Sequence, residues 1–520
     1  MEPTFSELAL RSRFGPLAVY EQLLELASVT FFERRMYLWL ISYWQAAKTL
    51  VEAGDLPAGR LDWGLVGRGQ LIVNWTGRPR DPRRLVLVVH TDREGFLVEE
   101  LRDSAPDEDL LFNMQHCVEY RIPEAHVGQA VRLDVGTGGH QASYRGRLAS
   151  IEGERGKATL KIKRRDLTGD VFHLKEQIGG RRVSAQYVFD PKWELIGTAL
   201  RAPCVDNFAG VSVATAAVAK IALEASANPG TNVSVLYTTG EEAGMVGAIS
   251  LLERNENRLL RSSANTTWVV IDSSNVDEGR WIGIDRWREL RHSKASIEER
   301  DDPTGYEELE DLVPCRENTA SVRLEDSETL YDPGMVRFLC QAGLNAIPSV
   351  HAKDGESVDG FGLVDGELTW ARVVQHNDLG RAGMFQGGYC EASVFNLAPE
   401  LMREFHLGRK LERPRCGSIV IPVSAYRNMG TSIAKAEQCD LGALLGAFSI
   451  VGSAAEMHPY YRFPSEPRPR ARGGAALKMS GDLHPDSPEL KLIRDWKEEY
   501  TDVLPKWQHH EGEVLSMLSL

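Results

Sequence analysis

The chain is organised around residues 231–247, TNVSVLYTTGEEAGMVG. Residues 231–239 are rich in apolar and β-branched side chains, the composition of a strand buried inside a sheet. Gly240 ends that run, Glu241 and Glu242 follow at once, and Ala243, Met245, Val246 and Ala248 open a helical spacing. A buried strand that breaks into a helix marks the carboxyl edge of an open α/β sheet, where such folds place their chemistry. Adjacent residues point in different directions, so one carboxylate can hold a cation while the other handles a proton. Acids at a helix start also complement the helix dipole. That is a sufficient account of an isolated Glu pair, so the neighbouring segments decide between the two readings.

Residues 85–89, LVLVV, are apolar at every position, as expected of a central strand buried on both faces, and they end in His90-Thr91-Asp92. A metal-bound His needs an acceptor on its second ring nitrogen, which Asp92 can supply; a strand-terminal His beside a helpful Asp is the commoner use of HxD. Residues 267–271, TWVVI, form a third such strand, ending in Asp272. Asp206-Asn207 precedes an Ala/Val-rich helical stretch, so Asp206 is either an N-cap or a carboxylate shared by two cations. One imidazole and several carboxylates at one sheet edge suit zinc, cobalt or manganese. The expected fold is α/β, with a mostly parallel central sheet covered by helices on both faces.

Between these strands, residues 106–190 change character. Short β-like runs at 131–135, 142–151, 158–163 and 182–189 alternate with Gly turns, which predicts a small inserted β-barrel. The catalytic unit is then 1–105 and 191–460, interrupted by an acidic insertion at 277–328 and followed by a tail at 461–520. In that tail PSEPRPRARGG reads as a linker and 489–504 as an amphipathic segment. Thr30 and Glu33 have the spacing of a capping box ahead of a helix running to about Gly54. Asp332-Pro333 and Asp440 are expected to start two further helices.

A formal net charge of −14, from 60 basic and 74 acidic side chains, argues against nucleic acid or an anionic membrane as partner. Seven scattered cysteines without a CxxC pair favour reduced thiols in the cytoplasm. No apolar signal core stands at the N-terminus, and the longest mostly apolar run, 441–455, is too short to span a bilayer.

These motifs resemble the co-catalytic metallo-aminopeptidases of the glutamyl aminopeptidase and tetrahedral aminopeptidase type. The matching pieces are VVHTDREGF at 88–96, APCVDNFAGV at 202–211, TTGEEAGMVGA at 238–248, VVIDSS at 269–274, QGGYCEA at 386–392 and IPVSAY at 421–426. Their order follows that family over roughly residues 15–460, and the inserted β unit stands where the family has its dimerisation domain. The resemblance implies a phosphorylase/hydrolase-like exopeptidase core, two divalent metal ions (zinc first, cobalt or manganese as alternatives) and a homo-oligomer built through the β domain. By position, His90 and Asp272 would bind one metal and Glu242 the second, with Asp206 bridging. Glu241 would be the general base acting on metal-bound water, and Asp92 would orient His90. The family's last ligand is a His after the final strand. Here IPVSAYRNMG puts Asn428, next to Arg427, at that place, which implies a weaker second site unless His376, His406 or His458 supplies the ligand. The family's GGTDA is GGYCEA, with Glu391 in the Asp place.

The function implied is a cytoplasmic metal-dependent aminopeptidase that removes N-terminal residues from peptides. The alternatives are a metal-dependent deacylase or amidohydrolase on a non-peptide amide, and an assembly protein with a degenerate site. The joint presence of Asp206, Glu241, Glu242 and Asp272 speaks against the last, because clustered carboxylates are costly to keep without a use.

Overall fold

The computed structural model describes residues 15–24, 26, 28–53, 60–102, 108–117, 124–135, 142–152, 156–166, 171–179, 183–189, 193–196, 199–224, 230–253, 265–275, 320–323, 329–346, 390–405, 414–423, 436–463, 470–471, 493–495, 497 and 500–501. Two helices, α1 (Gly15–Leu23) and α2 (Arg34–Ala53), lead into the strands β1 (Arg60–Val66), β2 (Gln70–Thr76) and β3 (Arg84–His90). The barrel strands are β4 (Phe96–Leu101), β5 (Leu110–His116), β6 (Ala130–Val135), β7 (Ala142–Glu152), β8 (Lys157–Ile162) and β9 (Val183–Tyr187), with α3 (Val171–Gly179) between the last two. The chain then forms β10 (Glu194–Ile196), β11 (Ala199–Ala202), α4 (Val205–Leu223), β12 (Asn232–Thr238), α5 (Val246–Glu253), β13 (Thr266–Asn275), β14 (Ser321–Arg323), β15 (Thr329–Leu330) and α6 (Pro333–Ala346). Last come α7 (Glu391–Asn396), α8 (Ala398–Glu404), β16 (Arg415–Val423), β17 (Glu437–Asp440), α9 (Leu441–Met457) and β18 (Arg470–Ala471).

The central sheet has seven strands in the order β1-β2-β12-β3-β13-β16-β14. The inner four, β12, β3, β13 and β16, are parallel, and antiparallel strands close both edges. Side chains alternate across a strand, so each inner strand feeds two cores. Leu85, Leu87, Val89, Val235, Val269 and Ile271 pack with α1, α2, α4, α6 and α9 on one face. Val86, Val88, Leu236, Trp268 and Val270 pack with α5, α7 and α8 on the other. The uniformly apolar runs LVLVV and TWVVI are this two-sided burial written in sequence. Helix α4 is long and apolar enough to cross a membrane, but 89% of its apolar window is buried in the first of these cores. None of the six described cysteines forms a disulfide.

The inserted unit is a closed six-stranded barrel, β4-β5-β8-β7-β6-β9, around its own apolar core. It differs from expectation in two ways. Its first strand begins at Phe96, ahead of residue 106, because the chain passes from the HTDREG turn into the barrel without a linker. Helix α3 also lies inside the β region and packs Leu174 and Ile178 against the barrel core. Two other expected boundaries move. Ser321–Arg323, inside the stretch read as a solvated insertion, is the edge strand β14 paired with β16. Within the tail, Ile493 and Tyr500 dock on the second core, with the Tyr500 hydroxyl 2.5 Å from Glu253 Oε2.

Three expected helix starts are resolved locally. The Met335 amide donates to Asp332 Oδ1 at 2.9 Å and the Gly442 amide to Asp440 Oδ1 at 2.6 Å, so both acids cap as expected. Thr30 does not: its hydroxyl donates to Asp92 Oδ2 at 3.0 Å, in the sheet, instead of serving α2. Tertiary partners have overridden the local capping signal.

His458 is 3% exposed beyond α9, its Nε2 3.1 Å from Thr267 Oγ1 at the start of β13. Burial and the nearby Arg83 push its pKa down to about 4, with Asp81 opposing. The unfolded chain therefore binds a proton there that the folded chain refuses between about pH 6.5 and pH 4. Stability rises with pH through that window, by about 3 kcal/mol once complete. Urea midpoints measured from pH 4 to 7.5 should fall on the acid side for the native chain and flatten for His458→Gln; parallel curves for the two would refute this.

Candidate metal centre

Parallel pairing builds the site. His90 ends β3 and lies opposite Thr238, which ends β12. Val270 of β13 lies opposite Val88, so the same register carried two residues further brings Asp272 level with His90. Gly240, at φ +66°, turns the chain sharply after β12. Gly247 lets the following helix close on that turn, since a Cβ there would lie 2.4 Å from the Thr239 carbonyl oxygen.

The fourth element is the start of α4. The backbone is not yet helical at Asp206 and Asn207. Asn207 does the capping: its Oδ1 accepts the Gly210 amide at 3.1 Å and its Nδ2 donates to the Ile271 carbonyl at 2.8 Å. Asp206 is thus not the N-cap. Its amide is held by Glu437 Oε2 at 3.0 Å and its carboxylate faces His90.

His90 Nδ1 lies 3.1 Å from the main-chain oxygen of Asp92 and 3.6 Å from Asp92 Oδ1. With Nδ1 donating to that carbonyl, the neutral ring carries its lone pair on Nε2. That atom is 3.3 Å from Asp206 Oδ1, 3.5 Å from Asp272 Oδ1 and 4.0 Å from Glu241 Oε2. Asp92 orients His90 mainly through its carbonyl; its carboxylate serves the Glu pair. Oδ1 accepts the Glu241 amide at 3.1 Å and Oδ2 the Glu242 amide at 3.2 Å.

Burial opposes a charge on His90, but the Glu241, Asp206, Asp272 and Asp92 carboxylates outweigh it and hold its pKa well above 6.5. Burial likewise pushes Glu241 well above the usual carboxylate range, helped by Asp272, Asp206 and Asp92 and opposed by His90. Glu242 is raised by burial, then by Glu94, Asp206 and Glu241. A buried nest of acids around one imidazole is a costly arrangement that a cation relieves. Ligand atoms of His90, Asp206 and Asp272 all lie within 4.8 Å of one another, as do those of His90, Glu241 and Glu242. One nitrogen lone pair among carboxylate oxygens is a donor set suited to a divalent transition metal, so the residues fit such an ion.

The structure thus brings together His90, Asp92, Asp206, Glu241, Glu242 and Asp272. Asn428, Arg427, His376 and His406 lie outside the described residues. His458 is not a ligand source: it meets β13 at Thr267, five residues and about 16 Å of strand before Asp272. The structure adds Arg323, which sequence reasoning missed, and places Glu391, which the resemblance put at the position of the family's Asp. Arg323 of β14 is 2% exposed, with Nη1 3.9 Å from Asp272 Oδ2; it lies in an acidic stretch that offers no signal for it. Glu391 opens α7 and is 1% exposed; burial raises its pKa to about 7, with His90 opposing.

Solved structures share this fold. An aminopeptidase from the archaeon Desulfurococcus kamchatkensis aligns with a TM-score of 0.53 at 14% identity, over 85% of this chain and 95% of that one. The TET aminopeptidase from the marine sediment archaeon Thaumarchaeota archaeon SCGC AB-539-E09 gives 0.51 at 13% identity, over 85% and 96%. The TET1 peptidase of Pyrococcus horikoshii, described as assembling into a tetrahedron or a large octahedral shell, gives 0.50 at 13%, over 85% and 99%. No protein-family model and no curated protein sequence matches the chain. The expected architecture, a mixed sheet between helices with an added barrel, is the one these aminopeptidases have.

Proposed function

We propose that this chain is a metal-dependent aminopeptidase that hydrolyses the N-terminal peptide bond of peptide substrates. The observation that carries the reading is the convergence of His90 Nε2 with Asp206 and Asp272 at the carboxyl ends of adjacent parallel strands, with Glu241 beside them. Divalent ions held by His90, Asp206, Glu242 and Asp272 would supply Lewis acidity toward the scissile carbonyl and toward water. Zinc is the first choice, and Asn428 remains the candidate last ligand of the second ion.

The residues of the chain do the rest. Glu241 is the general base. Its side chain is 10% exposed and its Oε2 lies 4.0 Å from His90 Nε2, farther than the 3.3 Å of Asp206 and the 3.5 Å of Asp272, a separation that a water can bridge. Burial and the neighbouring acids raise its pKa above the ordinary carboxylate range, which strengthens it as a base toward water; the proton it takes is returned to the leaving amine. The C–N bond breaks, a C–O bond forms from water, and the proton ends on the new amino group. His90 is fixed in one tautomer by the Asp92 carbonyl and presents Nε2 inward.

Glu241→Gln should keep the metal content of the native chain and lower turnover of aminoacyl chromogenic substrates by about 10²–10⁴-fold. Glu242→Gln should instead lower metal content, read by elemental analysis. Equal metal loss in both variants would refute the division of roles. Zinc or manganese should raise the thermal midpoint, because an ion that binds only the folded centre stabilises it by mass action, and a chelator should reverse the gain. A midpoint indifferent to every divalent ion tried would remove the metal from the proposal. We further propose assembly into a homo-oligomer through the barrel, supported by the shells described for the Pyrococcus horikoshii peptidase. A light-scattering mass equal to the 57.9 kDa chain at working concentration would count against it.

A further inference from the structure

We propose that Thr30 and Glu33, in the segment before α2, are positioning residues of the centre: they act through Asp92 and Thr239 to set the turn that carries Glu241 and Glu242. The inference rests on the functional reading above and extends it to a part of the chain remote from every ligand in sequence.

The segment is joined to the HTDR turn by its backbone. The Arg93 amide donates to the Ser28 carbonyl at 3.0 Å and the Thr30 amide to the Arg93 carbonyl at 3.1 Å. The Ser28 hydroxyl donates to the Thr91 carbonyl at 2.6 Å. On this scaffold the Thr30 hydroxyl donates to Asp92 Oδ2, the oxygen that also receives the Glu242 amide. The Asp92 carboxylate therefore has three donors: two amides from the Glu pair, which it must hold, and one hydroxyl that fixes its own rotation. Glu33 works from the other side, accepting the hydroxyl of Thr239, which immediately precedes Gly240 and Glu241. Ser28, Thr30, Glu33, Thr91, Asp92 and Thr239 are all 0% exposed. In such a site a charge-assisted hydrogen bond holds geometry that water would otherwise blur. Asp92 also fixes the His90 ring through its carbonyl, so rotation at this residue would disturb both the ligand and the base.

The test uses the full chain loaded with cobalt(II), whose visible absorption reports ligand geometry without substrate. Thr30→Val keeps the shape and removes the hydroxyl; Thr30→Ser keeps the hydroxyl. We expect Thr30→Val to weaken cobalt binding or lower kcat by about 10–100-fold, with an altered cobalt spectrum and KM changed by no more than about twofold. Thr30→Ser should restore the native spectrum. A native spectrum, affinity and kcat in Thr30→Val would overturn the proposal, as would a loss that Thr30→Ser fails to rescue. Should Thr30→Val not fold, Thr239→Val, which removes the hydroxyl that Glu33 accepts, carries the same spectral test, and a native spectrum, affinity and kcat there would overturn the proposal. A native chain that binds cobalt but cleaves no aminoacyl substrate defeats the functional reading, while the spectra still decide the fate of Thr30.

Discussion

The register of three parallel strands is the constraint on which this molecule depends. His90, Thr238 and Asp272 stand at one level because β3, β12 and β13 pair residue for residue along two-sided apolar runs. A slip of one residue would turn Leu85, Leu87 and Val89 from one core to the other and carry His90 off the level of Asp272. Packing on both faces therefore fixes the chemistry at the edge. What the sheet then collects is electrostatically unfavourable by itself: four carboxylates, from Asp206, Glu241, Glu242 and Asp272, around one ring nitrogen. Breaking the balance of a buried charge cluster costs about 3–5 kcal/mol per lost partner. A cation held at the end of these strands, as proposed above, would relieve that cost.

Much of this was legible in the sequence, for a physical reason. Residues 85–89 and 267–271 announce two-sided burial because no polar side chain interrupts them. Gly240 marks the turn because a side chain there would be strained at φ +66°. What stayed hidden depends on distance in space. Thr30 and Glu33 have the spacing of a capping box, and only the fold shows the Thr30 hydroxyl turned to Asp92. Asp206 and Asn207 are adjacent and both can cap; only the fold shows that Asn207 does so. His458 is one of several histidines in sequence, and its position at the wrong end of β13 cannot be read without the sheet. Arg323 sits in a run of acids that looks solvated, yet three residues of that run complete the sheet edge.

The layers outside the sheet serve the same edge. Helix α2 sends Tyr37 and Trp44 to β12: the Tyr37 hydroxyl donates to the Tyr237 carbonyl at 3.2 Å, and Trp44 Nε1 to the Tyr237 hydroxyl at 3.0 Å. Thr215 of α4 meets that same hydroxyl at 2.8 Å. Tyr237 is thus anchored from two helices just before the strand ends in the Glu-pair turn. Arg35, at the start of α2, reaches Asp134 of the barrel at 4.0 Å, so one helix touches the central sheet and the inserted unit together.

The different surroundings of two adjacent acids also follow from this arrangement. Glu241 and Glu242 have amides held by the two oxygens of a single carboxylate, so neither backbone can drift independently. From that shared base their side chains diverge into different surroundings. After burial, the strongest influence on Glu241 is the His90 ring, which favours its charge; on Glu242 it is Glu94, which disfavours it. Both are also pressed by further carboxylates, Glu241 by Asp272, Asp206 and Asp92 and Glu242 by Asp206 and Glu241, so a bound cation would relieve both. The proposed division between ligand and base starts from two side chains whose common origin Asp92 fixes.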